Sequence, residues 1–265
     1  MSEERSGQPS AEQAGQPLNE ERAERPSGGD RLLDFLERAQ ALFHGKWFVL
    51  TTCTVAASVL LSLINIFSSW SMLSGSLYVV ASVVLPLVLV LINLATMFAL
   101  IRRTDESTLN ARRKYEKFVF VLCVIGGVMI ALSVLMLLST SLLGSGSLGI
   151  SAWLLMLPLL AIYALILDYQ RSLNGFYKNL YGITQGLYIR RAYAKRAGYE
   201  NIVFFLLTAF MPYILAALIP MLSSELSYPT PVWDAMTIVS DALSLLNAAF
   251  TFLFFRQAES VERAA

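Results

Sequence analysis

The sequence predicts an all-α membrane protein of six transmembrane helices paired as three hairpins, with both termini cytosolic and a short amphipathic helix before the first span. Three observations carry this expectation. Of 265 residues, 56% are hydrophobic and only 15% charged, whereas soluble domains carry about 25% charged residues. Six apolar windows, near 47–67, 78–101, 118–139, 150–168, 202–222 and 233–255, each approach or exceed the roughly 20 residues that cross about 30 Å of hydrocarbon. Six crossings also place every Lys and Arg of the chain on a single face.

Residues 1–29 are rich in Glu, Gln, Ser, Pro and Gly and lack a basic stretch followed by an apolar one. They read as a disordered cytosolic tail rather than a secretory signal. Residues 30–46 follow with a helical period: Leu32, Leu33, Phe35, Leu36, Ala39, Leu42 and Phe43 share one face, opposite Asp34, Glu37, Arg38 and Ala41, and Asp30 is the candidate N-cap. Such a helix is expected to lie in the cytosolic leaflet, the alternative being that it packs on the protein's own cytosolic segments. The six-span domain then covers 47–255, and 256–265 form a second cytosolic tail.

Charge sets the orientation. Arg5, Arg22, Arg25, Arg31, Arg38 and Lys46 precede the first span, and Arg102, Arg103, Arg112, Arg113, Lys114 and Lys117 occupy the second connection. Arg171, Lys178, Arg190, Arg191, Lys195 and Arg196 occupy the fourth, and Arg256 and Arg263 follow the sixth span. The other connections have none, so the positive-inside bias makes this face cytosolic. Trp47, Trp70, Tyr78, Trp153, Tyr169 and Trp233 lie near span ends, where aromatic side chains anchor.

Intramembrane polar residues are the candidates for chemistry, because a charge in hydrocarbon costs at least about 2.5–3.5 kcal/mol. Asp241 is the one acid well inside a span, on a stripe continued by Ser240, Ser244, Asn247 and Thr251. No Lys or Arg falls within the six windows. Asp241 is therefore expected to face water, a proton, a cation or hydrogen-bond donors. Tyr213 falls at a similar depth, and Asn93, Tyr163 and Asn247 are expected to form a second polar layer closer to the cytosol. These five are the candidate substrate or ion site. For Asp241 the competing reading is a hydrated acid near the outer surface, and for the asparagines it is interhelical hydrogen bonding.

A second candidate surface is the fourth connection, where Arg190, Arg191, Lys195 and Arg196 alternate with Tyr188 and Tyr193. This pattern fits anionic headgroups or a protein partner, or the charges serve topology alone. Gly175, Gly182, Gly186 and Gly198 are expected to break the segment into two short helices with a hinge.

Other classes are disfavoured. A net charge of +1 gives no field for nucleic acid. His44 stands apart from any metal-ligand spacing, no phosphate loop or catalytic triad pattern occurs, and Cys53 and Cys123 fall inside spans. The expectation is a non-enzymatic protein without cofactor or metal in the cell (cytoplasmic) membrane. Its expected partners are the lipid bilayer, anionic lipids on the cytosolic face, and a second copy or a separate energising subunit. Two functions remain: a small permease or membrane subunit of a transporter, or a membrane organiser or sensor acting through its cytosolic helix and basic loop.

Overall fold

A computed structural model describes residues 28–68, 77–143, 150–187, 189, 191–222 and 235–264. Among these residues there are seven helices and no strand: α1 (Gly28–Phe43), α2 (Lys46–Ser68), α3 (Leu77–Arg102), α4 (Glu106–Leu143), α5 (Ile150–Thr184), α6 (Ala194–Leu222) and α7 (Ala235–Ala264). Backbone amides in lipid must bond within their own segment, which favours helices wherever the sequence is continuously apolar. Four stretches, Lys46–Ile64, Val84–Arg102, Glu106–Met136 and Thr237–Arg263, are long and apolar enough to cross a membrane.

Each long helix packs against its neighbours in sequence, and α7 returns to α2, so that α2 to α7 close into a ring. The helix α1 touches α2, α3, α5 and α7 and covers one end of it. The buried apolar core lies at this end. Phe35, Leu42 and Phe43 of α1 meet Phe48, Leu100, Phe176, Tyr177, Phe254 and Phe255 from four other helices. Phe48 lies 4.9 Å from Phe43 and 5.0 Å from Phe254 between ring centroids, contacts that add about 0.5–1.5 kcal/mol each beyond burial. Away from this end the apolar side chains face outward: Leu132, Leu135 and Met136 of α4 and Val84, Leu85 and Val88 of α3 are exposed.

Three local outcomes differ from the sequence reading. Much of the apolar face of α1 is covered by protein rather than offered to the leaflet, with Ala39 and Phe43 fully buried, while Leu33 near its start stays exposed. The charged half of α1 remains outside, where Arg38 pairs with Asp34. The second connection is also far shorter than its run of basic residues suggested. Only 103–105 lie between α3 and α4, and the helix is entered through a reciprocal cap. The Thr108 amide donates to Asp105 Oδ1 at 2.9 Å and the Asp105 amide donates to Thr108 Oγ1 at 3.0 Å.

In the fourth connection the helical stretches are continuations of α5 and α6, separated by 185–193. Only Gly186, at φ +70°, ends a helix. Leu187 N bonds to Gly182 O and Gly186 N to Ile183 O, the Schellman pattern that requires a left-handed residue. Gly175 and Gly198 lie inside helices. A Cβ on Gly175 would stand 2.7 Å from the Tyr193 ring, and one on Gly198 would stand 3.1 Å from Phe255 Cβ. The spacing of these glycines records close packing rather than flexibility.

The Asp105 cap gives a pH-dependent prediction. Its carboxyl is held below the usual range, first by the Thr108 amide and then by Ser107, Thr108 and Arg103, against the opposing effect of burial. A lowered folded-state pKa contributes stability above the unfolded value of about 4, and that contribution disappears as pH falls through the folded value. Asp105→Ala is expected to lose about 1 kcal/mol of stability at neutral pH. The difference from wild type should shrink in acid, as read by unfolding at a series of pH values.

Candidate functional site

Near its α1 end the ring holds a partly open chamber with a mainly apolar wall, whose polar groups include Arg112 and Glu116. Their i,i+4 spacing on α4 puts both on one face, and that face turns inward. Their side chains are 7% and 3% exposed, and Arg112 Nη2 meets Glu116 Oε1 at 2.6 Å. Arg112 Nη1 donates to Asn93 Oδ1 at 2.5 Å and to Thr96 Oγ1 at 2.8 Å, which ties α4 to α3. The guanidinium also lies over two rings, 5.2 Å from the Tyr115 centroid and 4.9 Å from that of Tyr177 on α5, a geometry favourable to a desolvated cation. Burial pushes the Tyr177 hydroxyl above its usual range, opposed by Arg112, so it stays protonated and able to donate.

The chamber has a volume of about 200 Å³, and its polar lining includes Asn93, Gln170, Asn201 and Asn247 beside the ion pair. Asn247 Oδ1 accepts from Thr54 Oγ1 at 3.1 Å, and Asn201 Nδ2 donates to the Ala248 carbonyl at 3.0 Å. Two atoms of these lining residues, Arg112 Nε and Gln170 Oε1, have no hydrogen-bond partner but are themselves buried away from the open space. The side-chain amides on the wall offer both donors and acceptors, so the chamber is chemically suited to a small hydrogen-bonding ligand. Its net charge is balanced by the Arg112–Glu116 pair.

The structure gathers some of the expected site residues and separates others. Asn93 and Asn247 line the same chamber, as their matched depth suggested. Tyr163 does not join them. Its hydroxyl donates to the Cys123 carbonyl, and its ring lies against Gly126 and Gly127, so it joins α5 to α4. Asp241 is exposed on α7, as are Ser240 and Ser244, so the polar stripe of this helix turns inward only at Asn247 and Thr251. The Tyr213 side chain lies outside the described residues.

In the basic loop, Tyr188 and Arg190 also lie outside the described residues, and the remaining members divide between internal and surface roles. Arg196 pairs with Asp168 and, at 2.5 Å, with Glu200, joining α6 to α5. The two hydrogen bonds, to Asp168 and then Glu200, hold the Arg196 guanidinium above its usual range. Burial pushes Glu200 up, opposed by Ser172 and Arg196. The Tyr193 and Ala194 amides donate to Glu262 Oε2 of α7 at 2.8 and 2.7 Å, so a buried carboxylate caps the positive end of α6. Asn179 Nδ2 donates to Glu262 Oε1 at 2.5 Å and to the Arg191 carbonyl at 2.8 Å. The Arg191 guanidinium lies 5.8 Å from the Tyr193 ring, and Arg191 and Lys195 are exposed.

Sequence reasoning missed Arg112, Glu116, Gln170 and Asn201. The signal available for the first two was their i,i+4 spacing at the inner end of a span, masked by five other basic residues from 102 to 117. No known protein family, curated protein or solved structure matches the chain.

The contact between Tyr163 and the paired glycines predicts a non-additive pair of substitutions. A Cβ on Gly126 would collide with the Tyr163 hydroxyl, while the next ring atom stands clear at 3.5 Å. Gly126→Ala is expected to destabilise the protein by about 1–3 kcal/mol. In Gly126→Ala/Tyr163→Phe the obstructing oxygen is gone, so the double variant should unfold at a higher temperature than Gly126→Ala alone.

Proposed function

We propose that the chain is a six-span integral protein of the cell membrane, with both termini cytosolic, that binds a small polar ligand inside its helix ring and acts as a permease or as the membrane subunit of a transporter. The observation that carries this reading is the chamber of about 200 Å³ inside the ring, whose wall brings the buried, charge-balanced Arg112–Glu116 pair together with the side-chain amides of Asn93, Gln170, Asn201 and Asn247. A few convergent polar groups on a mainly apolar wall are the usual make-up of a small-molecule site. In this reading α5 and α6 supply the remaining two crossings through 150–168 and 202–222. The end covered by α1 is cytosolic, because the basic residues cluster there.

The chamber lies toward the cytosolic end, so the binding centre moves from Asp241 to the level of Asn93, Asn247 and Arg112. Asp241 remains a candidate proton or cation group on the outer part of α7. The chain has no phosphate-binding loop, so active transport would draw on an ion gradient or on a separate energising subunit. The exposed apolar faces of α3 and α4 suit lipid or a second copy. The organiser reading retains Arg191 and Lys195 as surface cations, but Tyr193, Arg196 and much of α1 are engaged internally, which leaves a smaller surface for anionic lipid or a partner.

The test is thermal unfolding of the purified full-length protein against polyols, amino acids, small carboxylates and alkali cations. A ligand of the folded state raises the midpoint by mass action. The expected result is a solute whose effect is lost in Gln170→Leu and kept in Asp241→Asn. Loss in Asp241→Asn with retention in Gln170→Leu would instead favour an outward-facing site on α7. No response to any solute would count against the chamber as a binding site for free solutes.

A further inference from the structure

We infer that the groove between α6 and α7 at the cytosolic end is a binding site for an anionic phospholipid, whose phosphate lies between Lys195 and Arg256 and whose acyl chains run outward along the two helices. This rests on α6 and α7 crossing the bilayer with that end cytosolic, and it is independent of the chamber beside Arg112.

The groove is open to the surface, has a volume of about 380 Å³, and is lined by Lys195, Gly198 and Tyr199 of α6 and by Phe252, Arg256 and Glu259 of α7. Small-molecule sites span roughly 300–1,000 Å³. The spacing keeps each set on one helix face, i, i+3 and i+4 on α6 and i, i+4 and i+7 on α7. Gly198 lets the two helices approach closely, because a Cβ there would stand 3.1 Å from Phe255 Cβ and 3.5 Å from Phe252 Cδ2. The Tyr199 and Phe252 rings meet edge to face, 5.8 Å between centroids. Of the two cations only Lys195 belongs to the basic connection; Arg256 arrives from the last helix, so the sequence alone did not join them.

Charge selects the head. Lys195 and Arg256 are exposed, and among the described residues neither forms an ion pair. The acid on the wall, Glu259, is already engaged by Arg263 Nη2 at 2.5 Å. The groove therefore offers two free cations from two helices, which an anionic phosphate head complements, whereas a zwitterionic head brings an ammonium of its own beside them. Tyr199, 55% exposed, is the kind of ring that settles at headgroup level. Outward from the head the same faces turn apolar and stay exposed: Val203, Leu206 and Phe210 follow Tyr199 at i+4, i+7 and i+11 on α6, and Ala249 and Leu245 stand three and seven residues before Phe252 on α7. A cation pair set above two apolar stripes matches a molecule with an anionic head and hydrocarbon chains, whereas a soluble anion would leave the stripes unused.

In the experiment the full-length protein in detergent is titrated with phosphatidylglycerol or with phosphatidylcholine of the same chains, and bound lipid is counted by native mass spectrometry. Lys195→Gln/Arg256→Gln removes both cations, and Lys195→Arg/Arg256→Lys exchanges them while keeping the charge. Lys114→Gln/Lys117→Gln removes two exposed cations of α4 at the same face of the membrane. Circular dichroism and unfolding midpoints check that each variant folds. The expected result is one phosphatidylglycerol held in preference to phosphatidylcholine, about thirtyfold more weakly in Lys195→Gln/Arg256→Gln, the scale of two headgroup cations, and unchanged in the other two variants. No preference between the lipids, or an equal loss in Lys114→Gln/Lys117→Gln, would overturn the inference. Glycerol 3-phosphate binding to this pair as tightly as the lipid would assign it to a soluble anion, and a dimer of the chain lost in Lys195→Gln/Arg256→Gln would assign it to a second copy; either overturns the lipid. The crossing of α6 is scored separately, by the reaction of Val203→Cys and Leu206→Cys in vesicles with a membrane-impermeant maleimide, in a chain whose Cys53 and Cys123 are replaced by Ser. Protection without a lipid preference overturns the lipid site alone, whereas free reaction overturns the six-span reading and the site with it.

Discussion

The joint between α3 and α4, without which the ring would not close, is organised by a buried ion pair. Taking Arg112 and Glu116 out of water costs several kcal/mol per ion, and their attraction offsets this only when the remaining hydrogen-bonding capacity is also met. Here Asn93 and Thr96 of α3 accept from the guanidinium, and Tyr115 and Tyr177 flank it. One side chain on α4 therefore fixes the position of α3 and the approach of α5. Tyr115 adds a second tie from α4 to α3 through its hydroxyl and the Leu89 carbonyl, at 3.1 Å. Most of the specific polar ties between α3 and α4 lie within this group.

This placement explains the uneven packing of the molecule. At the end holding the ion pair, α1 closes the ring over an aromatic core, and Glu262, Asn179, Arg196 and Asp168 lock α5, α6 and α7 together. Farther along the helices the side chains are apolar and outward-facing, suited to lipid, where water supplies no force that would drive helices together. A ring held tightly at one end and loosely at the other can keep internal cavities in its looser part. The chamber beside Arg112 lies where the firmly packed end gives way to this looser part.

The helical class, the apolar helices and an amphipathic first helix were legible in the sequence because hydropathy and charge placement follow directly from the bilayer as solvent. A count of residues along each helix put Asn93, Tyr163 and Asn247 at one level; Asn93 and Asn247 line one chamber, whereas Tyr163 bonds to the Cys123 carbonyl instead. Direction around the helix was harder to read. Asp241 and Asn247 belong to the same polar stripe, yet only Asn247 faces the chamber. Arg112 read as one of several charges that set orientation, because nothing local showed that α4 begins at Glu106 and carries the arginine inward. The glycines of the fourth connection read as breaks because their intrinsic cost is visible in sequence, whereas the partners that make two of them necessary, Tyr193 and Phe255, become neighbours only after folding.

The most direct test of the buried pair as the organising contact is a double-mutant cycle on unfolding free energy. Glu116→Leu leaves a buried arginine that cannot shed its charge and is expected to cost about 3–5 kcal/mol. Arg112→Met/Glu116→Leu removes both charges and should recover most of that loss, giving a large favourable coupling between the two positions. A Glu116→Leu protein as stable as wild type, or a double variant that loses the sum of the two single losses, would contradict the buried pair as the contact that organises the joint between α3 and α4.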